Sequence, residues 1–552
     1  MIPMLCIALL FISFPLWAAS VETPTLTIQD QVEAEISPLL FGSMLERASF
    51  GEPGPEGALT PGTRTLRPEI VTALAAMPVP ILRFPGGTDV DSMDWRDLIS
   101  GVGDRGDRRP NSIGHTNQSI SNEFGLDEFL AYAQDRKAQT LLCVKVLTAI
   151  TGKETVASVA QQAARLVAYC NAPINAQLLE DLGEWPQLRA KNGHPEPWKV
   201  PYFQIGNEVW MEVEGRLKHP DGTYPSDLAV RYRDAVLAVA RAMLAVDPGI
   251  RLITDGPRNH QEQVLGFLAK DPDIRKCITF LSDHTYGPGP VDRWTPPTGF
   301  TDADHWRTWV AMPGRFDDQG MNVARKPQYD VAQELGYQVA ATEWNWNGWG
   351  HNRLQPAPKF DVLQAAGIGA AGFIHGLMRQ SHRVPLATQS LILGGTWDLA
   401  SVHYDPKHQT DPCYHPSGIV LALLAQHHGP QRISCTATDI PTYAQPHAIT
   451  WSESATAVAA LDVMATGDAT HLFIHVINRS QHDDSTLKLL LPKTWKLHST
   501  GTRFMWQASL DPNPPKITSL AQAISQTPLA ADQNQLDIPP RCVCVFQFGL
   551  SK

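Results

Sequence analysis

From residue 38 to about residue 393, short apolar runs alternate with helix-length amphipathic stretches, and this alternation constrains the fold more than any other feature. The candidate strands are Leu39–Leu45, Pro80–Phe84, Thr140–Leu147, Val200–Ile205, Ile250–Thr254, Ile278–Asp283, Tyr337–Thr342 and roughly Leu386–Leu393. Helical patterns separate them at Asn122–Arg136, Glu154–Tyr169 and Ser226–Val246. In the last of these, Leu228, Tyr232, Ala235, Val236, Val239, Met243 and Val246 form one apolar stripe, with Ser226 read as N-cap and Pro248 as the stop. Periodicity alone also fits an open parallel sheet, but eight strand–helix units favour closure into an α/β fold of the (β/α)8 TIM-barrel type.

After Gly429-Pro430 the pattern changes. His471–Asn478, Leu487–Leu491, Trp495–Trp506 and Arg541–Phe548 are strand-like and separated by Asp, Gly, Pro and Ser, which predicts a C-terminal all-β sandwich. The expected organisation is a signal peptide over 1–20, an N-terminal strand over 21–36 that joins the sandwich, the barrel over 37–428 and the sandwich over 429–552. The leader reading rests on the apolar run Leu5–Trp17 followed by Ala18, Ala19 and Ser20, although no Lys or Arg precedes it. It predicts export to a periplasmic or extracellular location and no membrane association after cleavage. Eight cysteines, less Cys6 in the leader, leave an odd number. Cys542 and Cys544 alternate with Phe546 on one strand face and read as small buried hydrophobes rather than zinc ligands or a disulfide.

A net charge of −11 without a basic block argues against nucleic acid as a partner. G-x-S-x-G, HExxH and Walker sequences do not occur. Gly101-Val-Gly103-Asp-Arg-Gly106 spells a dinucleotide motif but lacks the strand before it and the helix after it, so it reads as a surface loop. Two acids stand at strand ends, Glu208 after Val200–Ile205 and Glu343 after Tyr337–Thr342. In a parallel barrel the C-terminal strand ends share one face. Paired carboxylates there suit glycoside hydrolysis, one acid protonating the leaving oxygen and the other attacking the anomeric carbon.

The motifs that surround these acids carry a resemblance. Ile36-Ser-Pro-Leu-Leu-Phe-Gly42-Ser-Met-Leu-Glu46, Leu82-Arg83-Phe-Pro-Gly86-Gly87 with Trp95-Arg96-Asp97, Asn122-Glu-Phe-Gly125-Leu-Asp127-Glu128-Phe129 and Lys191-Asn-Gly-His194-Pro-Glu-Pro197-Trp198 lead in order to Gly206-Asn207-Glu208. The series resembles the α-L-arabinofuranosidases of glycoside hydrolase family 51 over nearly the whole chain. The resemblance implies a retaining double displacement with Glu208 as acid/base and Glu343 as nucleophile. It implies sugar contacts from Asn207 and Glu46, and from Arg83 and the His284-Thr-Tyr286 element flanking Glu343. Trp349 is placed with them as substrate-binding. The expected activity is release of terminal α-L-arabinofuranosyl groups from plant-type polysaccharide, without metal or organic cofactor. A carbohydrate is the expected partner, and homo-oligomerisation stays open. The alternatives are a β-glycanase on the same fold and a non-catalytic carbohydrate-binding protein. Thr88-Asp89 departs from the family pattern, as do Trp346-Asn-Gly-Trp349 and an insertion at about 287–326, whose Trp294, Trp306 and Trp309 are expected to extend or cover the cleft.

Overall fold

The structure is a computed structural model that describes residues 22–178, 181–255, 270–291, 294–311, 326–355, 357–445, 447–450, 454–529 and 534–551. The expected leader, 1–20, lies outside the described residues, as does part of the 287–326 insertion. No helix among the described residues is long and apolar enough to cross a membrane.

Eight parallel strands close into a barrel: Gly42–Met44, Ile81–Phe84, Gln139–Val144, Tyr202–Ile205, Arg251–Asp255, Phe280–Gly287, Gln338–Trp346 and Leu386–Ser390, called strands one to eight. Strand eight pairs with strand one and completes the ring. Each expected barrel strand is present, with shifts at its ends. Strand one begins late because Pro38 opens a 3-10 turn over Pro38–Phe41. Strand three ends at Val144, and Leu147 opens a helical turn instead. Strands six and seven run past the expected ends because their last residues are buried and still pair with each other. The helix expected over Ser226–Val246 spans Leu228–Val246, with Asp227 rather than Ser226 at the N-cap position.

A nine-stranded sheet lies beside the barrel, in the order Ser525–Leu529, Lys496–Gln507, Cys542–Ser551, His471–Asn478, Leu461–Gly467, Gln431–Thr438, Thr25–Glu35, Ser485–Leu490 and Gln535–Ile538. Thr25–Glu35 runs antiparallel to Gln431–Thr438 and parallel to Ser485–Leu490, so the N-terminal strand sits inside this sheet. One face of the sheet closes on itself: Leu26, Ile28, Leu472, Ile474, Leu487, Leu489, Cys542, Cys544 and Phe546 form a single apolar cluster. Residues one step along the same strands, Ile477, Val543 and Val545, belong to the barrel's cluster instead. The period-two alternation of a strand therefore serves two cores at once. Helices Val362–Arg379 and Pro416–Gln426 lie against this second face. All seven described cysteines are free, and the Cys542 and Cys544 sulfurs lie 3.3 Å apart without a bond.

Candidate active site

The chain leaves strand four through Gly206, at φ 83°, where a Cβ would meet Val209 Cγ2 at 2.4 Å. Glu208 follows in the left-handed region at φ 47° and caps helix Val209–Leu217, whose first N–H donates to Asp255 Oδ2 at 2.7 Å. A non-glycine residue held there costs on the order of 1–3 kcal/mol and is found mainly at functional sites. Glu343 lies within strand seven rather than at its end. The register shifts between Ala340 and Glu343 against strand six, and between Ala341 and Trp344 against strand eight. Such a bulge re-aims a side chain that regular pleating would point elsewhere.

These two backbone devices bring the acids together. One carboxylate oxygen from each of Glu208 and Glu343 and one ring nitrogen of His284 lie within 4.8 Å of one another. His284 Nδ1 is 2.9 Å from Glu208 Oε1 and 3.4 Å from Glu343 Oε2, and its Nε2 is 3.0 Å from Thr342 Oγ1. Arg83, fully buried, donates to Glu343 Oε1 at 2.8 Å, to Asn207 Oδ1 at 2.5 Å and to Gln204 Oε1 at 3.0 Å. The Tyr286 hydroxyl donates to Glu343 Oε2 at 2.7 Å, with Ser390 Oγ 2.8 Å away on its other side. Burial, with Glu343 adding, pushes the Tyr286 phenol well above its ordinary range, so it remains a donor. The spacing of Glu208, His284 and Glu343 also suits a cation, but each of the three already engages a hydrogen-bond partner inside the site.

Glu46, after strand one, is buried against the backbone of Gly87. A Cβ at Gly87 would fall 1.5 Å from Glu46 Oε1, and Gly87 has φ 68°, so glycine is required twice over. Burial pushes the Glu46 carboxyl well above its ordinary value, with Glu343, Asp89 and Glu208 adding and Arg83 opposing. A neutral Glu46 can both donate and accept. Asn207 contributes a further donor: its Nδ2 is buried and has no partner among the described residues.

Glu208, Glu343, Asn207, Arg83, His284, Tyr286 and Glu46 thus converge, while Trp349 stands at the rim, 43% exposed. The Thr88-Asp89 departure has a local consequence, since Asp89 Oδ1 accepts the His115 backbone N–H at 2.6 Å and lies 2.7 Å from its Nδ1. Sequence reasoning missed Gln204, Thr342, Ser390 and His115. The first three are polar residues in barrel strands, a signal that was available in YFQI, QVAATE and LATQS. Of the two expectations for the insertion, extension of the cleft is not met by its described residues. Trp306 and Trp309 are buried in helix Asp302–Val310, Trp306 Nε1 donates to Arg479 O at 2.7 Å, and the Trp309 ring lies 4.7 Å from that of Trp346. Trp294 donates to Ala448 O at 3.2 Å. These indoles fasten the insertion to its surroundings rather than extend a cleft.

A closed parallel barrel with one carboxylate just past strand four and another within strand seven is an arrangement that suits glycoside hydrolysis. The family model described as "Alpha-L-arabinofuranosidase 1 domain" matches residues 73–294. The chain is 28% identical over 241 residues to alpha-L-arabinofuranosidase C of Emericella nidulans, covering 43% of this chain and 42% of that protein. It is 26% identical over 327 residues to an intracellular exo-alpha-(1->5)-L-arabinofuranosidase of Halalkalibacterium halodurans, covering 58% of this chain and 57% of the relative. The match thus spans about half the length of these curated relatives. The thermostable family 51 α-L-arabinofuranosidase of Thermotoga petrophila shares the fold, with a TM-score of 0.71 at 22% identity over 95% of this chain and 100% of that one. The resemblance read from the ordered motifs is borne out.

Proposed function

We propose that the chain is a retaining glycoside hydrolase that releases terminal α-L-arabinofuranosyl groups from plant-type polysaccharide. The observation that carries the proposal is the approach of Glu208 and Glu343 to within 4.8 Å, oxygen to oxygen, across the barrel mouth. Retention asks for carboxyl groups about 5–5.5 Å apart, whereas inversion needs roughly 6.5–9.5 Å to admit a water. In the first step Glu343 attacks the anomeric carbon, the glycosidic C–O bond breaks, and the leaving oxygen takes the proton of Glu208. In the second, Glu208 removes a proton from water, whose oxygen attacks the same carbon and frees Glu343. Arg83 and Tyr286 hold the attacking carboxylate in place, and the free amide N–H of Asn207 and the neutral carboxyl of Glu46 are assigned to sugar hydroxyls. Their burial supports a pocket for one sugar, hence exo action. Neither step calls for a metal or organic cofactor.

Export remains a proposal that rests on the Leu5–Trp17 run, set against a Halalkalibacterium relative named as intracellular. The mass of the mature protein tests it. The activity is tested with a panel of nitrophenyl glycosides and polymeric glucans. Hydrolysis of the α-L-arabinofuranoside with release of single arabinose units is expected. Products of mixed length from xylan or glucan, without arabinose, would place the chain with the β-glycanases instead.

A further inference from the structure

We propose that Phe50 and Trp397 form a stacking rail for the glycan chain from which the cleaved group departs, a deepening that rests on the glycosidase reading. Four aromatic rings follow one another around the rim. The centroids of His115 and Phe50 lie 4.3 Å apart, those of Phe50 and Trp397 6.3 Å, and those of Trp397 and Trp349 5.9 Å. They stand on the loops after strands two, one, eight and seven, which are consecutive in the barrel, so the rail is an arc along one side of the mouth. Trp397 also packs against the small cluster of Met44, Leu391 and Ala400, and the Met44 sulfur touches Arg83, which links the arc to the acid pair.

Phe50 is the informative member. It is 54% exposed and has φ 47°, followed by Gly51 at φ 83°, in a turn closed by hydrogen bonds of 3.0 and 2.8 Å between the backbones of Ser49 and Glu52. A bulky residue in the left-handed region and more than half exposed costs stability that its contacts with His115 and Trp397 return only in part. The turn then locks its neighbour. The buried Glu52 carboxylate accepts the backbone N–H groups of Gly395 at 2.6 Å, Thr396 at 2.8 Å and Trp397 at 2.8 Å, and the Thr396 hydroxyl at 3.0 Å. Glu52 is therefore a positioning residue that fixes Trp397 beside Phe50. Beside Trp397 and Trp349 opens a cavity of about 760 Å³, also lined by His351 and Asp398, large enough for further sugar units. Sugar rings present apolar C–H faces, which suit flat aromatic surfaces bordered by polar groups.

The test compares an arabinoxylan oligosaccharide with nitrophenyl α-L-arabinofuranoside, which has no chain to occupy the rail. Phe50→Ala and Trp397→Ala are each expected to lower the ratio of kcat/KM values, oligosaccharide over aryl glycoside, by about tenfold, through KM. Glu52→Gln lowers the same ratio, while Phe50→Trp and Trp397→Phe restore it. A ratio unchanged by both alanine variants overturns the rail, as does an equal loss on both substrates, which would mark a purely structural role. If the wild type hydrolyses no arabinofuranoside, the glycosidase reading fails and the rail is judged by electrophoresis in gels containing arabinoxylan. Retardation that the two alanine variants lose supports it, and an unretarded wild type overturns it.

Discussion

At the barrel mouth three acids, Glu46, Glu208 and Glu343, converge on Arg83 and His284, whereas at the junction of barrel and sheet a single acid, Asp462, meets Arg379, Arg479 and His375. Both clusters are buried, and they differ in which sign is in excess. Asp462 accepts from Arg479 at 2.7 Å, lies 3.2 Å from His375 Nδ1 and also bonds Arg379. Although burial works against its charge, Arg379 and Arg479 hold its carboxyl well below the usual range. Glu46 is displaced in the opposite direction. Carboxyl groups outnumber cations at the mouth, where the proposed reaction needs a proton held and returned, and cations outnumber carboxyls at the junction. On the proposed reading, chemistry and stability rest on separate buried clusters.

Removing the central partner of each cluster gives mirror-image expectations. Arg83→Met leaves Glu343 without its guanidinium donor and Asn207 without its orienting bond. Activity on nitrophenyl arabinofuranoside is expected to fall roughly 10³-fold, the upper end for loss of one preorganised donor, measured on protein with a native far-UV CD spectrum. Asp462→Ala leaves two guanidiniums facing each other at the junction, at an expected cost of about 3–5 kcal/mol in urea unfolding, with activity per folded molecule retained. Loss of activity from Asp462→Ala at full stability would erase the distinction between the clusters.

The smaller effect is a difference in pH dependence. A free Glu ionises near 4.5, and Glu46 does so only well above that in the folded chain. The folded state therefore holds more protons in that window, and Glu46 costs stability increasingly as pH rises from 4.5 through its folded value. Glu46→Gln is expected to be more stable than wild type at neutral pH and nearly equal to it at pH 4, while sugar affinity weakens. Asp462 has the opposite sign. Its contribution is complete above the free-Asp value of 3.8 and is lost only as pH falls from there toward its lower folded value. Asp462→Asn should therefore remain less stable than wild type across neutral pH, the gap closing only in acid. Melting temperatures of both variants between pH 3 and 8 check the two signs.

What could be read in the sequence follows how local each feature is. The barrel strands are buried along most of their length, several carry apolar runs, and all eight were legible. Gln431–Thr438 was not, because only two of its eight residues are buried and its apolar residues do not stand out against Thr and Ser. The acid pair was legible because each Glu follows a strong strand signal. The bulge beside Glu343 and the left-handed backbone at Glu208 were not, since they are set by neighbours distant in sequence. Phe50 and Trp397 lie 347 positions apart, and nothing in the composition of either loop says that Glu52 joins them. The insertion misled for a related reason, since an indole suits a sugar face and a core equally well.

The assignment of Glu343 as nucleophile and Glu208 as acid/base is tested most directly by azide rescue on nitrophenyl α-L-arabinofuranoside. A nitrophenolate leaves without protonation, so Glu208→Ala still forms the glycosyl-enzyme, and azide, which needs no general base, should release a glycosyl azide of retained configuration. Glu343→Ala lacks the nucleophile, and azide should enter from the vacated face to give the inverted anomer. Opposite anomers from the two variants, read by NMR, are the predicted result. The same anomer from both, or wild-type turnover of arabinan by either, would contradict it.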